Sequence, residues 1–304
     1  MKTGKRVTLV LVIIGAVLVL VGGVICGVSY LVNNASVREF TQEVRNEYGH
    51  SGSQNSDAAQ TQNADAALPA DAQITSLSLN VGEAKVGIAA GDKVSLSYTG
   101  FAQNGLAWTL DDGELTITQK DRDGDPSFSW GSLFSGFHLG DADKRVITLI
   151  LPADALTSLD ISAGACDLEV KGLTVGELAF RLGAGQAELR DLTVTGDAEL
   201  TVGAGSLHCT GCSFNEADFI VSAGRIDCAG ALTGDCSVKC GVGSADFALT
   251  GAANRYACDY AVGVGSLTFT GRPCRGSGSI EAEGEPLASL DIKVGVGSVA
   301  VTAA

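Results

Sequence analysis

One glycine recurs at intervals near twenty residues through most of this chain, and no other feature restricts its fold so tightly. The anchors are Gly82, Gly164, Gly185, Gly205, Gly224, Gly243, Gly265 and Gly297, and from Gly164 to Gly265 they stand 21, 20, 19, 19 and 22 residues apart. Positions counted from them alternate as a β-strand must, because its side chains point to opposite faces with period two. Five residues before the anchor stand Leu77, Leu159, Phe180, Leu200, Phe219, Val238, Tyr260 and Ile292. Three before stand Leu79, Ile161, Leu182, Val202, Val221, Cys240, Val262 and Val294, and the residue just before is always Ala or Val. Two after come Ala84, Cys166, Ala187, Leu207, Ile226, Ala245, Leu267 and Val299, and four after come Val86, Leu168, Leu189, Cys209, Cys228, Phe247, Phe269 and Val301. All of these columns read as inward. The column one after the anchor (Glu83, Ala165, Gln186, Ser206, Arg225, Ser244, Ser266, Ser298) reads as a solvent face.

Inward positions one before and two after the anchor differ by an odd step, so the alternation slips at the glycine and the strand bends there. Glycine tolerates positive φ and lets stacked backbones approach at such a corner. Two short strands joined by a corner cannot bury their inner face alone, but stacking such units about 4.8 Å apart buries a continuous core. The expected fold class is therefore all-β, a parallel β-solenoid or β-helix-like stack of coils over residues 73–304. Between Gly87 and Pro152 the pattern loosens. Leu106 to Lys120 reads as a hairpin around Asp112-Gly113, and Lys144 to Pro152 as a further strand. Residues 121–143 read as a polar insertion whose Phe128, Trp130, Phe134 and Phe137 cap the core or offer a contact surface.

The domain is preceded by an apolar run, residues 7–32, long enough at 1.5 Å per residue to cross a hydrocarbon core of about 30 Å as a transmembrane helix. Lys2, Lys5 and Arg6 precede it, whereas Arg38 and Arg45 on its far side are mixed with Glu39, Glu43 and Glu47. The positive-inside rule then makes 1–6 a cytoplasmic N-terminus and places the C-terminal domain outside a single-pass cell membrane protein. A cleaved signal peptide fits less well, since the run exceeds a usual apolar region and Asn33-Asn34-Ala35 is a poor cleavage site. Gly23 and Gly27 form one GxxxG pair, common in such helices, and Cys26 lacks the small residues that precede a lipidated cysteine. Residues 33–72 read as a polar linker. Its stretch 51–72 is without apolar periodicity and, if flexible, spans about 25 Å. The formal charge of −15 argues against nucleic acid and against docking on anionic lipid.

The VITLILP strand leading into LDISAGACDLEV, followed by units such as LTVGAGSLHCTG and YAVGVGSLTFTG, resembles the putative-adhesin family of bacterial β-strand-repeat envelope proteins of unknown function. The resemblance covers about residues 74–302. It implies a right-handed β-solenoid, an envelope location and a role in adhesion or envelope-stress signalling, and it brings no catalytic residues.

Candidate chemistry is sparse. Cys209 and Cys228 share an inward column, as do Cys236 and Cys258; stacked at about 4.8 Å each pair falls within disulfide reach, although free cysteines also fill small apolar slots. Cys209 and Cys212 form a CxxC, but His208 points the other way and no second CxxC completes a zinc set. Asp121, Asp123 and Asp125 lack the glycine and closing glutamate of a calcium loop. His50, His138 and His208 fall in linker, insertion and coil, with no visible nucleophile and carboxylate beside them. The column three after the anchor stacks Asp167 with Glu188 and Asp227 with Asp246. Such pairs admit an alternative reading as a glycan-active β-helix enzyme, against the simpler one of a solvated polar ladder.

The expectation is thus a non-enzymatic envelope protein with no catalytic, cofactor-binding or metal residues, presenting its solenoid to a surface protein or glycan. The last unit keeps its inward residues to Val301 and only three residues follow, too few to cover it, so weak self-association or partner-strand association through the C-terminal coil is expected.

Overall fold

The structure is a computed structural model that describes residues 61–66 (backbone only), 68–69, 72–102, 104–120, 145–154 and 156–303. The expected transmembrane helix at 7–32, the N-terminus 1–6, most of the linker and the insertion 121–143 lie outside these residues. Among the described residues no helix is long and apolar enough to cross a membrane.

Among the described residues nineteen strands form one sheet, wound in the middle of the domain into three-sided coils. That middle is made by β8 (Leu156–Lys171), β9 (Thr174–Arg190), β10 (Thr193–Val194), β11 (Ala198–Val202), β12 (Ser206–Asn215), β13 (Ala217–Val221), β14 (Arg225–Cys240) and β15 (Ser244–Leu249). Each coil lies parallel to the next. On the first limb Ile161, Phe180, Leu200, Phe219 and Val238 are successive partners, and on the second Leu168, Ala187, Leu207, Ile226 and Ala245. A short third limb stacks Val175, Val194, Phe214 and Leu232. All of these are buried. Each such Leu, Val or Phe contributes about 1.5–3 kcal/mol relative to exposure, so the core is a sum of many equal rungs. Phe219 joins two coils by edge-on ring contacts with Phe214 at 5.8 Å and Phe247 at 5.0 Å.

The inward period-two columns hold, but the corner differs in three ways from its sequence reading. First, the slip lies before the glycine, not after it. In the coils from Gly205 onward the inward positions run from three before the anchor directly to the anchor itself. The residue just before it turns outward: Ala204 and Ala223 are exposed, as are Val242 (56%), Val296 (49%) and Val264 (85%). Only Val81 and Ala163, in the first two coils, are buried there. Second, Gly185 stacks on Cys166, and Ala84 stands level with Cys166, so Gly82 and Gly164 are two residues out of register with the other anchors. Third, the glycines are needed for space. Of the anchors only Gly185 has positive φ. At Gly205 an added Cβ would lie 2.8 Å from the carbonyl oxygen of Gly185 and 2.9 Å from Leu182, and at Gly224 it would meet the Gly205 carbonyl and Val202 Cγ1.

At the N-terminal end stand β1 (Thr61–Ala66), β2 (Ser76–Val81), β3 (Lys85–Ala90), β4 (Ser95–Ala102), β5 (Leu106–Asp111), β6 (Glu114–Gln119) and β7 (Val146–Leu151). The strands β2 and β3 form the first coil against β8. The expected hairpin is β5–β6, with Asp112 and Gly113 both at positive φ as a two-residue turn requires. Its strand β6 runs parallel to β2. On the second limb β7 follows β3, then β4 and β1 add antiparallel. Residues 61–66, placed in the linker by composition, are thus the edge strand β1.

The C-terminal part comprises β16 (Tyr256–Phe269), β17 (Arg272–Ile280), β18 (Ala288–Val294) and β19 (Ser298–Ala303). Here the expectation of an uncovered last coil is overturned. The strand β18 lies between β14 and β16, and β19 between β15 and β16, so the final segment of chain is slotted inside the stack with partners on both edges. The terminal coil is instead β16, and β17 covers it antiparallel. Self-association through an open C-terminal coil loses its structural basis.

Candidate functional site

The outer face of the second limb carries the carboxylates singled out above. Asp227 and Asp246 are stacked partners as expected. Asp167 and Glu188 are not: the two-residue offset sets Asp167 opposite Gln186 and Glu188 opposite Glu169. The ladder therefore runs Glu169, Glu188, His208, Asp227, Asp246. Arginines stitch it. Arg190 Nη2 lies 2.7 Å from Glu188 and its Nε 3.7 Å from Glu169. Arg225 donates from Nε to both oxygens of Asp227, at 2.8 and 2.7 Å, and from Nη2 to Asp246 at 2.8 Å. His208 Nδ1 lies 3.1 Å from Oδ2 of the same Asp227.

A glycosidase acid must keep its proton near neutrality, which needs a raised pKa. Asp227 is shifted the other way, below the usual carboxylate value, chiefly by the hydrogen bond from Arg225, with burial opposing. Its oxygens are already taken by a guanidinium and an imidazole. The arrangement suits a surface ladder of four carboxylates partly neutralised by two guanidiniums, of which each exposed pair adds at most about 1 kcal/mol.

The first limb bears a second charged feature that the repeat columns did not reveal. A shallow depression of about 750 Å³ is lined by acids including Asp160, Glu177, Asp197, Glu199, Glu216 and Asp218. These occupy two outward columns of successive coils, and only the stacked register brings them together. Arg181 reaches Asp160 at 3.7 Å and Glu199 at 3.3 Å. Burial raises the Asp160 pKa, Arg181 opposing and Glu199 assisting. No group of three or more ligating side chains among the described residues is placed to hold a metal ion.

The eight described cysteines are free and buried. Cys209 and Cys228 are direct partners, as the columns predict. Cys212, on the turn into the third limb, also points inward and donates to the Leu189 carbonyl at 3.3 Å, and its closeness to Cys209 raises the pKa of Cys209 and lowers that of Cys212. Both halves of the CxxC therefore face the core, while His208 stands outside with Asp227. Cys236 and Cys258 are not neighbours, since Leu290 of the inserted coil lies between them. Burial pushes Cys166 up to about 11 and Cys258 up to about 12, so neither is a ready thiolate. His50, His138, Asp121, Asp123 and Asp125 lie outside the described residues.

Solved proteins that align with this chain include a putative adhesin from Parabacteroides distasonis ATCC 8503, at 18% identity over 80% of this chain and 97% of that one, TM-score 0.44. A putative adhesin from Bacteroides fragilis NCTC 9343 aligns at 13% identity over 80% and 98%, TM-score 0.39. A putative lipid binding protein from Parabacteroides distasonis ATCC 8503 aligns at 16% over 79% and 96%, TM-score 0.35. No curated protein sequence matches the chain. A family profile, Toastrack DUF4097, matches residues 74–273, well over half of the 304 residues, and the protein belongs to that family.

Proposed function

We propose that this protein is a non-enzymatic component of a bacterial cell envelope, held by a single N-terminal span and presenting a rigid, right-handed stack of β-coils for adhesion or envelope-stress interaction. The observation that carries the non-enzymatic part is the state of the stacked acid pair named from sequence: Asp227 and Asp246 share one guanidinium, which holds the Asp227 carboxyl below its usual pKa. The anchored location rests on the apolar run at 7–32 and the charge bias around it.

Incubating the full-length protein with cell-wall and host glycans is expected to yield no new reducing ends. Turnover that disappears in Asp227→Asn would overturn the reading in favour of a glycan-active enzyme. Protease added to intact, wall-stripped cells is expected to remove the repeat domain, and full protection would reverse the topology.

A further inference from the structure

The two ends of the stack are finished differently. At the first coil the backbone N–H groups of Gly82 and Glu83 both donate to Oε1 of Gln119, at 3.1 Å each. At the far end β17 pairs with β16 on both limbs but skips the corner between them: Val262 faces Gly276 and Leu267 faces Cys274, leaving 263–266 without a strand partner on that side. Val264 stands at the tip of this skipped corner. With Val296 and Val242 in the next two coils it makes an outward ridge, and these are the exposed large hydrophobics among the described residues.

Among the described residues β17 has only β16 beside it, so its outer edge is the open edge of the sheet here. Exposed edges are commonly guarded by charge or proline, and β17 is guarded over one half only. Arg272, Pro273 and Arg275 mark the half along the second limb. The other half, Gly276-Ser277-Gly278-Ser279-Ile280, carries neither charge nor proline, and a side chain added at Gly276 would meet nothing within 4 Å. Both arginines are exposed in a chain of net charge −15. The side chains of the other five described arginines all hold an ion pair or hydrogen bond; among the described residues these two side chains hold none. The opposite end of the domain already completes an edge in the same manner, with the polar segment β1 laid antiparallel on β4.

We propose that the outer edge of β17 from Gly276 to Ile280 receives an extended acidic segment of a partner protein as an added strand, its carboxylates on Arg272 and Arg275 and an apolar side chain against Val264. The proposal rests on the interaction role given above and names its surface. Backbone hydrogen bonds along the unguarded half supply affinity, and the two arginines set the charge preference and register.

The test uses the full-length protein in detergent and two fluorescein-labelled decapeptides, one alternating aspartate with valine and one alternating lysine with valine. The acidic peptide is expected to bind in a salt-sensitive manner and to slow amide exchange at 276–280. The double variant Arg272→Glu, Arg275→Glu should weaken it about tenfold or more, whereas Arg272→Lys, Arg275→Lys should stay within about threefold. Equal binding of both peptides, no binding, or binding untouched by charge reversal would overturn the proposal. A concentration-dependent dimer without peptide, protecting the same amides, would replace the acidic segment by a second copy. Failure here leaves the non-enzymatic role standing, because glycan turnover is read separately.

Discussion

The middle of the domain and its C-terminal part are built from the same unit and assembled by different rules. From β8 to β15 chain order is spatial order, and each coil lies on its predecessor. From β16 onward the order inverts: the last coil, β18 and β19, sits beneath the one before it. The glycine corner records both arrangements, since an added Cβ at Gly243 would strike Gly224, at Gly297 would strike Gly243, and at Gly265 would strike Gly297. Their outer surfaces differ too. The ladder beyond the corner is charged from Glu169 to Asp246 and becomes Ala300 and Thr268, while the residue before the corner changes from Ala204 and Ala223 to Val242, Val296 and Val264. A parallel coil offers the same row of donors and acceptors as any other, so one unit can be inserted between two without altering the ladder. The inversion places the last coil inside the stack and leaves a short antiparallel strand bearing Pro and Arg as the final edge.

The largest expected effect comes from deleting residues 288–304. If that coil were terminal, its loss would trim one repeat and leave the rest intact. Slotted between β14–β15 and β16, its removal should strip β16 and β17 of their support, seen as loss of exchange protection throughout 256–280. Protection retained there would show the stack to follow chain order.

A smaller but still large effect is expected at the corner. Gly224→Val places a branched side chain against the Gly205 carbonyl and 2.8 Å from Val202, and should cost about 3 kcal/mol or more. For a domain of this size that lowers the melting temperature by about 6–12 °C. The smallest effect is expected from Ser206→Val, one residue past the neighbouring corner on the outward face, which should stay within about 0.5 kcal/mol. Equal melting temperatures for the two variants would contradict the inward and outward assignments on which the comparison of the two regions depends.

The alternation of inward and outward side chains was legible residue by residue, because period two is a local property of an extended chain. Leu200, Val202, Leu207 and Cys209 lie where the columns put them. The β5–β6 hairpin was legible for the same reason, through Asp112-Gly113. Reading all eight glycines as one column failed at Gly82 and Gly164, because a glycine in the sequence does not say whether φ or the nearness of another backbone demands it. The residue before the corner was misread inward since Ala and Val carry no polar signal, and a bend can turn them outward without a change in composition. The acid trough on the first limb was invisible because its members sit in two columns that meet only across coils.

By itself the sequence determined that the chain makes β-coils of about twenty residues, which side chains fill them, and where the pattern is interrupted. These follow from steric alternation and from the burial of apolar area, both readable along the chain. Only the tertiary structure decided the order in which the coils stack, and with it that Cys209 meets Cys228 while Cys258 does not meet Cys236, that Asp227 rather than Asp167 gains a carboxylate neighbour in the ladder named from sequence, and that the open edge is β17. Stacking order is non-local. Every coil presents nearly the same hydrogen-bonding edge, so the choice among them rests on which connections can span the turns and which end can be closed.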